Sequence, residues 1–482
     1  MTAMPRFVFL WTDIALYLIA VAGLAYLWRV WRSPNLRATW RRVAGDTPAM
    51  CSAVVLACFV AVGLLDSIHY QTRLPPAPNA APDAPVIYAP AVTSLLDTLL
   101  APTLLGKPEK TYSAPLASYQ FTKESMVGPD GTVNRDFPRL QHGGRHLQNP
   151  ATDTWPDARS RLLKGAGAGL AGALLAGVIL AALLARRLGL VNLLRGRTSV
   201  PWRAMWLTFL LLCLLVGSLG GLATGYHVLG TDQTGNDVLW QALKSVRTGL
   251  VIGTLTTLAM LPPAIAFGIA AGYFRGRVDD AIQYLYTTLT SIPGVLLVAA
   301  CALMMQVYIE NHASYFDTSA ARADARLFIL CMILGLTGWS GLCRLLRAET
   351  LKLRELEYVQ AARAFGVSHW RIMLRHLLPN VMHIVLITAV LEFSGLVLYE
   401  AVLSYLGIGV DPSMNSFGSM INGARFEMSR EPMIWWNLLS AFVFLLTLVL
   451  AANLFADGVR DAFDPRSRRF RPRLNRATGG AQ

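Results

Sequence analysis

Charge is what this chain of 482 residues has least of: charged residues make up 15% of it, against 54% hydrophobic. Soluble domains of ordinary composition carry about 25% charged residues. Several apolar runs exceed the length of about 18 residues that crosses a bilayer, so the chain reads as an all-α polytopic membrane protein.

Cysteine is also scarce. Cys51, Cys58, Cys213, Cys301, Cys331 and Cys343 all fall in or at the edge of apolar runs, and none lies in the long polar stretch, so no disulfide framework is indicated. No two have CxxC spacing, and they read as small buried apolar side chains. Catalytic signatures are missing as well. The Gly106-Lys107 pair is followed by Pro108, which rules out a phosphate-cradling P-loop, and there is no HExxH and no GxSxG. The chain is therefore expected to bind no metal or cofactor, to hydrolyse no ATP and to be no enzyme. Acids are fewer than bases, giving a formal charge of +14. The arginines gather at the ends of apolar runs, which is the positive-inside pattern and sets topology; it does not point to nucleic acid.

Nine spans follow from the apolar runs, near 7–28, 49–68, 165–185, 204–224, 248–273, 282–308, 326–346, 381–403 and 434–456. Arg29, Arg32, Arg37, Arg41 and Arg42 follow the first span with the single acid Asp46. This loop is expected in the cytoplasm and the N-terminus outside. No cleavable signal peptide is expected, because the basic residues come after the first apolar run. Residues 69–160 balance eight basic residues with eight acids and are rich in Pro, Asn and Gly. They read as a loose or partly folded external insert, extended over Leu74 to Pro90. Small residues line one face of the third span (Gly165, Gly169, Ala173, Gly177) and one face of the fourth (Gly217, Gly221, Gly225), so each is expected to pack closely against a neighbouring helix.

After the fourth span comes His227-Val-Leu-Gly-Thr-Asp-Gln-Thr-Gly-Asn-Asp237. Gly230 and Gly235 supply turns, and Asp237 caps the helix that starts at Val238. A calcium loop on Asp232, Asn236 and Asp237 is the competing reading, against which stand the wrong spacing and the missing terminal glutamate. The sixth span breaks at Pro293-Gly294, as a bend facing a water-lined path or as a static kink. The eighth carries Glu392 and Glu400, both costly in hydrocarbon.

The stretch from Arg354 to Asn380 lies between two long apolar runs yet carries Arg354, Arg363, Arg371 and Arg375, so it faces water. Leu356, Val359, Ala362 and Phe365 recur at helical spacing and predict a short helix with one apolar face. Gly366 ends it, Ser368 caps a second short helix carrying Trp370, Met373 and Leu374, and Pro379 starts the next span. The two small helices would sit at an angle and leave an apolar ridge exposed. A ridge of that kind usually has a partner, although an ordinary amphipathic surface helix would carry the same pattern.

Gln360-Ala361-Ala362 with Arg363, Gly366 four residues after Ala362, and Leu378-Pro379 resemble the EAA loop of ABC-importer permeases. Gln360 stands for the family's glutamate and His376 for its isoleucine, departures frequent in the peptide-importer branch. Three further stretches are similar to dipeptide and oligopeptide permeases. They are Gly230, Thr231, Asp232, Gly235 and Asp237; Glu400-Ala401 with Leu403 to Gly409; and Asp457, Gly458, Arg460, Asp461, Asp464 and Pro465. The resemblance covers about residues 226–466.

It implies a six-span type I ABC-importer core preceded by about three extra spans and the polar external insert. The chain then divides into 1–68 (two spans), 69–160 (insert), 161–203 (third span and basic loop), 204–245 (first core span and external segment), 246–460 (transport domain with the 354–380 loop) and 461–482 (basic cytoplasmic tail). It also implies a bacterial inner-membrane subunit that couples through the 354–380 loop to two cytoplasmic ATPases, which carry ATP and Mg. A second similar permease would complete the pathway, and an external binding protein would deliver peptides. Pro293, Glu392 and Glu400 are the candidates for lining that pathway, Glu400 also having a packing or capping reading. The insert would touch the binding protein or the second permease. Nickel or glutathione is an alternative cargo within the family; a secondary transporter or a membrane scaffold is the alternative outside it.

Overall fold

The structure is a computed structural model that describes residues 6–74, 88–89, 91–127, 133–188, 198–316 and 318–463. Among them nine helices are long and apolar enough to cross a membrane, and they follow the nine apolar runs of the sequence in order. The stretch expected to be extended from Leu74 to Pro90 lies almost wholly outside the described residues, as do the basic tail after Phe463 and the arginines at 195 and 197.

Strand β1 (Arg6–Val8) leads into helix α1 (Trp11–Arg32), the amphipathic α2 (Pro34–Val43) and α3 (Thr47–Asp66). The Asp46 carboxylate caps α3 by accepting from the Ala49 backbone N–H. β1 pairs antiparallel with β2 (His69–Gln71), which pairs with β3 (Thr93–Ser94), so the start of α1 and the end of α3 are held at one level. A six-residue helix, α4 (Leu95–Leu100), follows, with Ser94 and Asp97 forming a reciprocal cap. A small hairpin of β4 (Glu124–Val127) and β5 (Val133–Asp136) completes the strands.

Helices α5 (Pro150–Leu188) and α6 (Trp202–Ala223) pack along the small faces seen in the sequence, and they pack on each other. A Cβ on Gly165 would lie 2.2 Å from the Gly217 carbonyl oxygen, and one on Gly217 would lie 2.5 Å from that of Gly165. The backbones are in contact, which only glycine permits. α5 begins fifteen residues before the predicted start of the third span, so the end of the polar stretch is helical.

The core is organised around α7 (Val238–Phe274), whose sides are covered by α1, α3, α10, α11, α14, α15 and α16 once these are placed: α10 (Ser319–Gly338), α11 (Ser340–Arg354), α14 (Leu378–Tyr405), α15 (Phe417–Glu427) and α16 (Trp436–Phe463). The amphipathic stretch before residue 248 and the fifth span are one unbroken helix, and Pro262 and Pro263 sit inside it. Gly268 and Gly272 let α7 touch the backbone of α11 at Cys343 and Arg347.

The sixth span differs from expectation. Residues 277–291 form a separate amphipathic helix, α8 (Arg277–Ser291), and the membrane-length helix is α9 (Gly294–Asn311). Thr287, Thr288, Thr290 and Ser291 make the end of α8 too polar for a lipid-facing span, and Pro293 begins a new helix instead of bending one. α8 is held to α11 by a two-pronged pair, with Arg347 Nε and Nη2 each 2.6 Å from an oxygen of Asp279.

Candidate functional site

The loop between α11 and α14 forms a compact foot at one end of the core. Its first part is α12 (Glu357–Ala364), and the predicted single apolar face is split in two. Val359 and Ala362 are buried in the cluster of Tyr273, Leu346, Ile372, Leu377 and Val381, while Leu356 is exposed and Phe365 is 86% exposed. The reason is geometric: residues 359 and 362 lie on the side facing α7, and the two ends of the row turn away from it.

Gly366 closes the helix as expected, at φ +73. The Val367 N–H donates to the Ala362 carbonyl and the Gly366 N–H to that of Arg363, both at 3.0 Å, which is the Schellman arrangement. Ser368 stands at the N-cap of α13 (His369–Ile372), but its hydroxyl makes no capping bond there, contrary to expectation. Nor is α13 a separate second helix. It continues through a π-helical turn, Met373–Leu377, into α14. Pro379 has no N–H to give and its ring crowds the carbonyl four residues back, and the wider π turn relieves both.

The foot is tied to the end of α7 by contacts that spacing could not show. Arg354 Nη1 donates to the Tyr273 carbonyl and the Tyr273 hydroxyl meets His369 Nδ1, both at 2.8 Å, while within the foot Asn380 Nδ2 donates to the Tyr358 hydroxyl at 2.9 Å. Gln360, Ala361, Arg363 and Pro379 are exposed and Leu378 is half-buried. Phe365, Trp370 (74% exposed) and Leu374 (60%) stand out of the foot beside Arg363, Arg371 and Arg375.

The three pathway candidates are not equivalent. Pro293 is the cap of α9, and a Cβ on Gly294 would lie 3.6 Å from the Tyr399 hydroxyl, so the α8–α9 junction abuts α14. Glu392 is half-buried on α14, and no hydrogen bond or ion pair to it occurs among the described residues. Glu400 is 1% exposed, and one carboxylate oxygen accepts from the Ser404 hydroxyl at 2.6 Å. α15 closes over that turn, with Gly418 against Ala401 and Ser404, a setting that suits a packing role.

At the opposite end of α7, Gly230 (φ +75) and Gly235 (φ +80) make the expected turns. Both are also contact points: a Cβ would lie 2.5 Å from the Ser113 carbonyl oxygen at Gly230 and 1.9 Å from that of Glu109 at Gly235. Asp237 caps α7 at the N–H groups of Leu239 and Trp240. Its other oxygen lies 2.7 Å from Nδ1 of the fully buried His227, whose Nε2 is 3.3 Å from Glu109. Asp232 instead accepts from Thr234 and Asn236 of its own turn. The acids thus diverge, and no cluster suited to a metal ion occurs among the described residues.

Of the two readings of the insert, loose or partly folded, this arrangement favours the second. Glu109 accepts from the backbone N–H groups of Gln141, His142 and Gly143 at 2.7–2.9 Å, and Thr231 Oγ1 accepts from the Ser113 N–H at 2.7 Å. The described part of the insert is folded onto the 226–237 turn. Burial opposes charge on both His227 and Glu109, but their hydrogen bonds outweigh it. His227, between Asp237 and Glu109, is pushed up to about 9. Glu109, bonded by His227 and three N–H groups, is held down to about 2.

At the C-terminal motif, Gly458 is a packing residue, since a Cβ there would lie 2.4 Å from Ala49 of α3. Asp457, Arg460 and Asp461 are exposed, and Asp464 and Pro465 lie outside the described residues.

Residues 264–469 match the family described as binding-protein-dependent transport system inner membrane component. Relatives include the oligopeptide transport system permease protein OppC of Haemophilus influenzae, 32% identical over 51% of this chain and 72% of that one. OppC of Mycobacterium bovis is 34% identical over 51% and 78%. The glutathione transport system permease protein GsiD of Pectobacterium atrosepticum is 30% identical over 50% and 73%. A chain of the inward-facing MetNI methionine ABC transporter aligns over 47% of this chain and 98% of its own, at 16% identity and a TM-score of 0.36. The matched half, the nine membrane-length helices and the foot between α11 and α14 lead to one conclusion: the chain belongs to the binding-protein-dependent transport system inner membrane component family, the permease subunits of ABC importers.

Proposed function

We propose that this chain forms half of the translocation pathway of a peptide importer and is driven through its 354–380 foot by two cytoplasmic ATPases. The carrying observation is the ridge of Phe365, Trp370 and Leu374 on a foot whose other face is fastened to α7. Three large apolar side chains among arginines, on a rigid support, suit insertion into a cleft of a partner protein. In this reading the foot is cytoplasmic, the N-terminus external, and ATP with Mg binds the partners. ATPase closure moves the foot, and α7, α11 and α14 carry the movement to the pathway.

Glu392 supports a polar pathway beside α14. A carboxylate at mid-span with no hydrogen-bond or ion-pair partner among the described residues would need water or a second subunit. A second permease facing α9 and α14, and an external binding protein, complete the assembly. Peptides are the favoured cargo because most of the similar permeases carry oligopeptide or dipeptide names. Glutathione is the second reading, favoured by the GsiD relative. Substituting Gly366→Pro or the exposed Trp370→Asp tests the proposal: the chain should still insert but lose ATP-driven uptake of labelled trialanine. Normal uptake and normal co-purification with the ATPases would remove the coupling role.

A further inference from the structure

Helices α1, α3 and α4 precede the family-matched residues 264–469, and they meet the core at two cations one helical turn apart on α7, the half-buried Lys244 and the buried Arg247. Lys244 Nζ lies 3.0 Å from Asp66 at the end of α3 and 2.7 Å from Asp97 of α4. Arg247 Nε donates to Asp13 of α1 at 3.1 Å, and its Nη2 lies 3.4 Å from Asp324 of α10. The Thr12 N–H donates to Asp324 at 3.0 Å, and Asp13 is also bonded by His69 at 2.8 Å. Arg247 is 5% exposed and Asp13, Asp66 and Asp324 are 3% or less.

An anchor tethering the chain to lipid would need none of this. Burying three carboxylates and Arg247, with Lys244 and Asp97 half-buried beside them, is expensive, and such pairs are more informative about which parts are held together than about net stability. Asp13, Asp66 and Asp97 join α1, α3 and α4 to this end of α7, Thr12 joins α1 to α10, and Arg247 links α7 to α10. We infer that Lys244 and Arg247 are positioning residues for transport: through them α1, α3 and α4 brace the ends of α7 and α10 as one unit, which stays joined throughout the cycle. The inference rests on the reading of this chain as a transport subunit.

The test uses the full chain assembled with its ATPases in proteoliposomes, in a background with the six native cysteines replaced by alanine. Asp97→Cys and Lys244→Cys remove one pair, and Asp66→Asn leaves no carboxylate there unpaired. ATP turnover should fall about tenfold with the amount of bound ATPase unchanged, and a short bis-maleimide joining the two cysteines should bring it back. Recovery in one sample at constant protein amount is a readout that a merely structural role would not move. Unchanged turnover after substitution, or a completed cross-link with no recovery, would overturn the brace. Should the triple variant fail to insert, Lys244→Asp is compared with Lys244→Asp/Asp97→Lys; a swap no better than the single change overturns it equally. A wild-type chain that binds no ATPase overturns the proposed function instead. The melting temperature of the chain alone, lowered by substitution and restored by the reagent, then still reads the brace.

Discussion

Glu109 and His227 lie 118 residues apart in sequence and meet at 3.3 Å with both side chains out of solvent. One belongs to the insert and the other to the turn that precedes α7. Their contact, completed by Asp237 on the far side of the imidazole, makes the insert part of the transport domain's surface.

That contact should make the fold of the insert depend on pH. His227 has its pKa raised to about 9 from 6.5, so its contribution is full below about pH 6.5 and is lost as pH rises through about 9. Glu109 has its pKa lowered to about 2 from 4.5, so its contribution is full above about pH 4.5 and is lost as pH falls through about 2. The two share the Glu109–His227 contact and so do not simply add, and Asp237 and three backbone N–H groups supply the rest; each shift corresponds to an effect on the order of 3 kcal/mol. Limited proteolysis of the insert across pH should show protection between these limits and cleavage outside them. His227→Gln should flatten the alkaline limb, and an alkaline limb unchanged in that variant would assign it to another group.

The buried and exposed sides of the foot should answer differently to the same change. Val359→Asp places a carboxylate in the cluster around Tyr273 and should reduce the amount of folded protein, at a cost of several kcal/mol. Phe365→Asp or Trp370→Asp alters an exposed side chain and should leave expression and melting intact while abolishing co-purification with the ATPases. Equal loss of folded protein in all three would mean that the ridge packs within the chain.

The α5–α6 contact allows no side chain. Gly217→Leu should force the helices apart and lower the melting temperature by several degrees, while Gly220→Leu on the open side of α6 should be nearly silent, since nothing lies within 4 Å of a Cβ there. A thermal melt of each variant in detergent decides it.

Glu392 and Glu400 should separate in the same way. Glu400→Leu leaves the Ser404 hydroxyl without its buried acceptor and should chiefly destabilise, whereas Glu392→Gln should alter uptake at normal abundance. An uptake rate for Glu392→Gln equal to that of the parent would remove it from the pathway.

Much of this was legible in the chain itself. Runs of apolar residues have to cross the bilayer as helices because lipid offers no partner to a free N–H or C=O, so nine spans could be counted directly. Gly366, Gly230 and Gly235 stood out because a left-handed turn strongly prefers glycine, and Asp237 because a carboxylate before a helical run caps it. The family resemblance rested on residues of this local kind.

What local pattern could not reach was which side chains meet across long separations. The sixth span lost its first half to α8 because its threonines make their helix more polar than the average of the run suggested. Glu400 is enclosed because α15 folds over it, and the described part of the insert is folded because Glu109 finds His227. Arg247 reads in sequence as one more charge at the edge of a span, and only packing brings it within reach of Asp13 and Asp324, on two other helices. Backbone requirements act over a few residues and so are written in the sequence, whereas the pairing of buried charges depends on the order in which helices surround α7, and tertiary structure alone decides that.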